Sequence, residues 1–456
     1  MKKVLGSIIL SIASFIVCAC GGDGDKQTSG PFVPAEKIPV NSLTISNIKS
    51  SINVGSSHQL LVNILPDNAT IKTVSWTSSN PSVAQVSSSG LVKAIASGKV
   101  NITASCDGKS DACTITVTDY VEFDDVVFKS YCLDNFDKNK DGFISQEEAN
   151  DIRSISILEK NIKSLKGIER FSNLRLLEVQ YCPSLHKLDL TGCKSLQSLY
   201  CSMDSIEELD LSPCPNLQTL HCNGNQIKKL SLKGCTKVTE IHCLNNQLEV
   251  LDLTDCKELR RLNCEENKIK KLDFSKCISI ALIDCEYNSL TEINLQGCNN
   301  LMELYCNDNN LTKLDLSHFT TLQIVHCYNN AIESLEIKDN FYFDRLRAEN
   351  NQLKNLKIIN SPYISTNYIY NNPNLTTIQL ENSSIGWFAC YGGNIEELDL
   401  TKTNAKSGTI VAWPMPSLKT IRIIKGTILS LWVSNNGTFN EIYNLDGLVT
   451  VIEEVE

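Results

Sequence analysis

Several common signatures are missing from this sequence. Twenty cysteines in 456 residues are too dilute for a small disulfide scaffold, and no two are spaced CxxC, which argues against zinc ribbons. GxSxG, P-loop and HExxH motifs do not occur. Basic residues are in deficit, with 42 Lys plus Arg against 52 Asp plus Glu and a formal charge of −10. That balance disfavours nucleic acid or an anionic membrane surface as a partner. The apolar stretch Val4–Val17 stops at 14 residues, short of the about 20 needed to span a bilayer. What is present is globular: 42% of residues are apolar and 21% charged. The length predicts roughly two to four domains.

Residues 1–20 read as a targeting segment. Lys2 and Lys3 precede the apolar stretch, which ends in Val17-Cys18-Ala19-Cys20. This ending resembles the lipobox of a bacterial lipoprotein, which implies lipidation of Cys20; Cys18 fits less well, because Val17 before it is not small. An ordinary signal peptide cut near Ala19 is the alternative. The acidic, glycine-rich start Gly21-Gly22-Asp23-Gly24-Asp25 opens a flexible tether over 21–39. It partly resembles the surface-export signals of Bacteroidetes lipoproteins. The expected address is the outer membrane, through the lipid alone, with the exterior favoured over the periplasm.

Residues 40–118 alternate apolar and polar in short runs broken by turn residues, as in Val100-Asn101-Ile102-Thr103-Ala104, and predict a β-sandwich. The stretch Val74-Ser75-Trp76 through Val83-Ala84, with Gly90-Leu91-Val92 and Gly98, resembles a bacterial Ig-like group 2 domain. The resemblance implies a spacer or adhesive stalk. Cys106 and Cys113 flank a six-residue connection, Asp107–Ala112, and a hairpin there would bring them face to face as a possible disulfide.

Within 122–151, Phe128, Cys132 and Phe136 recur every four residues, a helical stripe. The segment from Asp137 to Glu148 then fills the calcium-loop pattern of an EF-hand. Asp137, Asn139, Asp141 and Glu148 supply side-chain oxygens, Phe143 its carbonyl and Ser145 a bridged water. Gly142 permits the sharp turn. A single loop without its usual pair implies one structural Ca²⁺.

From Cys193 the chain repeats every 21 residues. Units begin at Cys193, Cys214, Cys235, Cys256, Cys277, Cys298, Phe319 and Asn340; a second Cys runs from Cys201 to Cys327, and Asn follows it by three from Asn225 to Asn351. The pattern LxxLxCxxNxL followed by LxxLxLxx resembles nested leucine-rich repeats of bacterial surface proteins. Weaker units at Ile152–Ile157 and Ile385–Cys390 extend the array, and Pro183 and Pro373 mark one-residue insertions. The reading is a mainly β chain: Ig-like sandwich, helical calcium-loop cap, then a solenoid of about 13 turns over 152–447 and on the order of 60 Å long, with an acidic tail at 448–456. The unit-opening Cys is expected to fill the place of the repeat's ladder Asn, its thiol donating to a carbonyl in the turn. The stacked thiols point the same way and are expected to be free.

His221-Cys222 and His242-Cys243 look like base and nucleophile, but adjacent strand residues point to opposite faces. A catalytic reading is therefore set aside. Two classes remain: a binding protein taking an extracellular protein, peptide or glycan, and a structural surface protein without a specific ligand. The expected contact column is Tyr200, His221, His242, Asn263, Asp284, Tyr305, His326 and Arg347, since flat rings that also hydrogen-bond suit recognition. The alternative is that Tyr and His merely suit a stacked strand. Asn223, Glu265, Glu286, Asn307 and Tyr328 form the adjacent column. On the opposite side Asp210, Asp252, Asp273 and Asp315, with alternating Glu207, Lys228, Glu249 and Lys270, predict a solvated face whose charges pair.

Overall fold

The computed structural model describes residues 36–404 and, beyond them, 407–412, 415, 417–424, 428–432 and 451–455. Cys20 and most of the tether lie outside the described residues. Among those described, no helix is long and apolar enough to cross a membrane. The chain divides into two compact units, 1–118 and 119–456.

In the first unit, strands Gly98–Cys106 and Lys109–Thr118 form a long antiparallel hairpin at the centre of a four-stranded sheet. Their alternating residues Val100, Ile102, Ala104, Ile115 and Val117 are buried, as a sheet with one wet face requires. Smaller sheets complete the sandwich: Ser57–Gln59, Leu91–Ala94 and Ala84–Val86 in one, and the pair Ser42–Ser46 and Leu61–Leu65 in the other. Gly90, at φ 85°, lies where a Cβ would come within 2.8 Å of the Trp76 ring, so the loop closes over Trp76 only with glycine there.

The disulfide expectation is corrected here. The hairpin turns through only two residues, Asp107 (φ 47°) and Gly108 (φ 79°), the left-handed pair that a tight hairpin prefers. The short turn sets Cys106 opposite Lys109 and Cys113 opposite Ile102. Both thiols are free and buried.

The second unit opens with two helices, α1 (Val126–Phe136) and α2 (Gln146–Asp151). Asp125 caps α1 by accepting from the N–H groups of Val127 (2.8 Å) and Phe128 (3.0 Å), and Ser145 with Glu148 makes a capping box on α2. Phe128, Cys132, Ile144 and Ala149 are fully buried in one cluster with Ile155 and Ile157 of the first solenoid strand. Tyr131 Oη also accepts from Ser156 N (3.2 Å), satisfying a donor of that edge strand. The helices thus cover the sheet end that would otherwise be open.

Among the described residues, fourteen parallel strands in chain order, from Ser154–Leu158 to Ile428–Trp432, build the main sheet. Register advances by one turn per strand, as in Ser198↔Thr219 and Thr219↔Glu240. Shorter parallel sets line the opposite side, for example Glu208–Asp210 with Lys229–Ser231 and Lys271–Asp273 with Glu292–Asn294. Between them Leu, Ile and Cys columns such as Leu199, Cys201, Leu220 and Cys222 are fully buried. Strand Val451–Val455 pairs with Thr420–Ile424, so the second side runs into the segment expected to be an acidic tail. The β-branched run Val449-Thr450-Val451-Ile452 favours strand despite the glutamates that follow.

The unit-opening thiols donate to turn carbonyls as expected, but they do not stand in for the amide ladder. The amide ladder belongs to Asn225 and its successors: Asn267 Nδ2 donates to the carbonyls of Cys243 (3.0 Å), Cys264 (3.1 Å) and Glu265 (3.1 Å), while Oδ1 accepts from Leu248 N (3.0 Å). The unit-opening column is a weaker second ladder in thiol form, as in Cys298 Sγ to Phe274 O (3.6 Å). Asn340, at the same position, shows its amide version by donating to Phe319 O (2.6 Å).

Candidate functional site

Every residue of the expected contact column sits at the end of a three-residue strand of the main sheet, in register with its neighbours: Tyr200, His221, His242, Asn263, Asp284, Tyr305, His326 and Arg347. All are half-buried on the outer face, whereas Cys222 and Cys243 are fully buried beneath it. The imidazoles and thiols therefore lie on opposite faces.

Two neighbourhoods stand out along this face. In the first, Tyr200 meets His221 edge-on (4.9 Å between ring centres), and His221 packs on His242 at 4.4 Å. Burial, then the facing His242, lowers the His221 pKa against a weaker opposite pull from Glu240. The His242 Nε2 atom is 2.8 Å from a Glu240 carboxylate oxygen. His221, Glu240 and His242 bring one ligand atom each within 4.8 Å of the others.

The second neighbourhood runs from Asp284 to Tyr391. Arg347 stacks over Tyr328, 4.2 Å from the ring centre, with Tyr368 at 5.8 Å. Its guanidinium also pairs with Glu349, whose side chain is 1% exposed. Tyr370 and Tyr391 stack in parallel at 4.6 Å. Four buried polar atoms here, Asp284 Oδ1, Asn307 Oδ1, His326 Nε2 and Glu349 Oε2, have no hydrogen-bond partner. Burial, followed by the charges of Glu286 and Glu265, pushes the Asp284 carboxyl up to about 7. Burial, then Arg347 and Arg345, pushes the His326 imidazole down to about 4. The contact column stopped at Arg347 and the adjacent one at Tyr328; Tyr368 continues the first by one 21-residue step, and Glu349, Tyr370 and Tyr391 continue the second, and that continuation is the signal that identifies them.

The opposite side is different. Lys229 pairs with Glu208 (2.8 Å), Lys228 with Glu207 (3.3 Å) and Lys271 with Glu292 (2.7 Å), each across adjacent turns. The aspartates do not join these ladders, contrary to expectation. Asp210, Asp252, Asp273 and Asp315 instead accept the N–H two residues on, at 2.9 to 3.0 Å, because Ser or Thr follows each at a turn.

In the loop between α1 and α2, Asp137 accepts from the N–H groups of Asp141 (3.2 Å) and Gly142 (2.9 Å), Asn139 from Asp141 N (2.8 Å) and Asp141 from Phe143 N (2.9 Å). Gly142 has φ 83°, the turn conformation expected of it. Burial alone would raise the Glu148 carboxyl, but donors from Ser145, Lys138 and Asn139 hold it below the usual range. The Ser145 hydroxyl is committed to Glu148 at 2.8 Å. All the donors are hard oxygens, so the residue set fits Ca²⁺.

Residues 39–117 match the family model of the bacterial Ig-like domain (group 2), and residues 151–264 match that of the leucine-rich-repeat domain of endo-beta-N-acetylglucosaminidase EndoS. Among curated proteins, kappa-carrageenase of Pseudoalteromonas carrageenovora is 37% identical over 99 residues, covering 21% of this chain and 25% of that protein. An Ig-like virion protein of Serratia phage KSP90 is 39% identical over 119 residues, covering 25% and 44%. The chain thus spans less than half the length of these relatives. Among solved structures, the functional domain of InlJ from Listeria monocytogenes, which includes a cysteine ladder, is similar at TM-score 0.44 and 21% identity over 63% of this chain and 70% of that one. An internalin, inlF, from the same species gives 0.39 and 21% over 57% and 90%. The chain joins a bacterial Ig-like group 2 domain to a leucine-rich-repeat solenoid of about 13 turns.

Proposed function

We propose that this chain is a non-catalytic binding protein of the cell surface, anchored through a lipid on Cys20, which takes an extracellular protein, peptide or glycan on the outer face of the main sheet. The observation that carries this reading is the Asp284–Tyr391 neighbourhood. There, stacked Tyr and Arg groups adjoin four buried polar atoms without partners. Such atoms are costly when left unpaired, and a ligand that donates to Asp284 and Glu349 while lying on the rings relieves that cost. A glycan-array screen and a pull-down with the whole chain test the reading. Arg347→Ala with Tyr370→Ser should abolish capture, and replacing Tyr200, His221, His242 and Tyr305 by Ser should weaken it. A ligand held equally well by both variants would place the site elsewhere.

One Ca²⁺ on Asp137, Asn139, Asp141 and Glu148, with the Phe143 carbonyl, is part of the proposal. It would brace the helices that cover the first turn, so a chelator should lower the melting temperature. No shift, together with no calorimetric Ca²⁺ signal, rejects it. For the anchor, Cys20→Ala should remove the protein from the detergent phase; unchanged partitioning sinks that part.

A further inference from the structure

We propose that His221, Glu240 and His242 form a binding site for a borderline divalent cation of the Zn²⁺ class, with coordination positions open to solvent. The three side chains come from two adjacent parallel strands, Thr219–His221 and Glu240–His242. Register sets His221 beside His242, and Glu240, two residues before His242, shares their face. The main sheet therefore holds the trio at fixed spacing, without relying on a loop.

The distances suit a metal. Ligand atoms around tetrahedral Zn²⁺ lie about 3.3 Å apart for bond lengths near 2.0 Å, and here all three fall within 4.8 Å. Closing the difference takes side-chain rotation of about 1 Å, and the side chains of His242 and Glu240 are 28% and 33% exposed, which leaves room for it. The existing His242–Glu240 hydrogen bond of 2.8 Å already draws two of the ligands together.

The chemistry selects the ion. Two imidazoles and one carboxylate favour Zn²⁺, Ni²⁺ or Cu²⁺ over Ca²⁺ and Mg²⁺, which prefer all-oxygen shells. Three protein ligands on an outer face leave at least one position for water or a donor from a bound molecule. The thiols below are not available, since Cys222 and Cys243 are fully buried on the other face. His326, in the same column, offers no equivalent site, because Arg347 and Arg345 act on it. Tyr200 and Asn263, in register with His221 and His242, bring no cationic side chain to the site. Arg261, in register with Glu240, is exposed, so water screens its repulsion of the ion.

The test uses the metal alone and does not depend on the ligand reading above. Untagged full chain in excess Ca²⁺, which fills any hard-oxygen site, is titrated with Zn²⁺ by calorimetry and with Co²⁺ by visible absorption. One ion per chain is expected, with a Co²⁺ spectrum lacking the thiolate charge-transfer band. His221→Ala with His242→Ala should abolish binding, the conservative Glu240→Gln, which replaces the anionic ligand by a neutral amide, should weaken it, and His318→Ala, an exposed histidine elsewhere, should leave it unchanged. No binding by the native chain, undiminished binding by the double variant, or a thiolate band that persists in it would each overturn the proposal.

Discussion

Two ladders climb this solenoid at the same 21-residue step, and they differ in what they do. Inside, Asn225, Asn246, Asn267 and Asn309 are nearly sealed from water, and each amide joins carbonyls of its own turn to one in the turn before. Outside, Lys229–Glu208, Lys271–Glu292 and Lys354–Glu333 pair at 2.7 to 2.8 Å between side chains that are more than half exposed. Both look equally regular in the sequence. The inner ladder satisfies buried N–H groups that have no other partner, such as those of Ile227, Leu248 and Leu290, whereas the outer ladder exchanges water for a counter-ion at little net gain. Periodicity alone therefore does not rank contributions to stability; burial does.

The largest effect should come from breaking an inner rung. Asn267→Ala strands the buried Leu248 N–H and takes one of two donors from each of three carbonyls, since Cys243 O, Cys264 O and Glu265 O keep Asn246 Nδ2, Asn288 Nδ2 and Asn245 N, a cost of about 1 to 3 kcal/mol. Urea unfolding checks this, and a loss below about 1 kcal/mol would show that water replaces the amide.

A smaller effect should follow from mending a defective rung. Asp204 occupies the ladder position one turn before Asn225. Its Oδ1 accepts from Cys182 N at 2.7 Å, but the buried Oδ2 has no partner where an asparagine would donate. Burial pushes its carboxyl up to about 7. A folded-state pKa above the unfolded value of 3.8 means that this site's contribution is complete below about pH 4 and is lost as pH rises through about 7. Asp204→Asn should therefore raise the melting temperature, and by more at pH 8 than at pH 5. An equal gain at both values would show that Asp204 is already ionised in the folded chain.

The smallest effect belongs to the outer ladder. Lys229→Ala or Glu208→Ala should leave the melting temperature unchanged at physiological salt. A drop comparable to that of Asn267→Ala would erase the distinction between the ladders.

The sequence made the main sheet legible because one period and one alternation together settle which residues share a face. Tyr200 through Arg347 fall in register as the 21-residue step requires. What escaped was local geometry and anything that needs two strands at once. The spacing of Cys106 and Cys113 alone suggests a facing pair, whereas the Asp107-Gly108 dipeptide between them marks the tight turn that sets the two thiols apart. The unit-opening column and the Asn column repeat with the same period, and only the hydrogen bonds show that the amide ladder belongs to the second. Glu240 lies two residues before His242 but one strand away from His221, so the trio exists only after register is applied.

The one-strand-per-turn register also has a mechanical consequence. Because each turn of a solenoid contacts only its neighbours, a pull on the chain loads the rungs one at a time, not all together. Each turn that peels away frees 21 residues, a contour of about 70 Å at about 3.4 Å per residue, against a stacked rise of about 4.8 Å. Under load the solenoid is thus an extensible element that pays out in equal steps, with the buried amides setting the force at which each step releases.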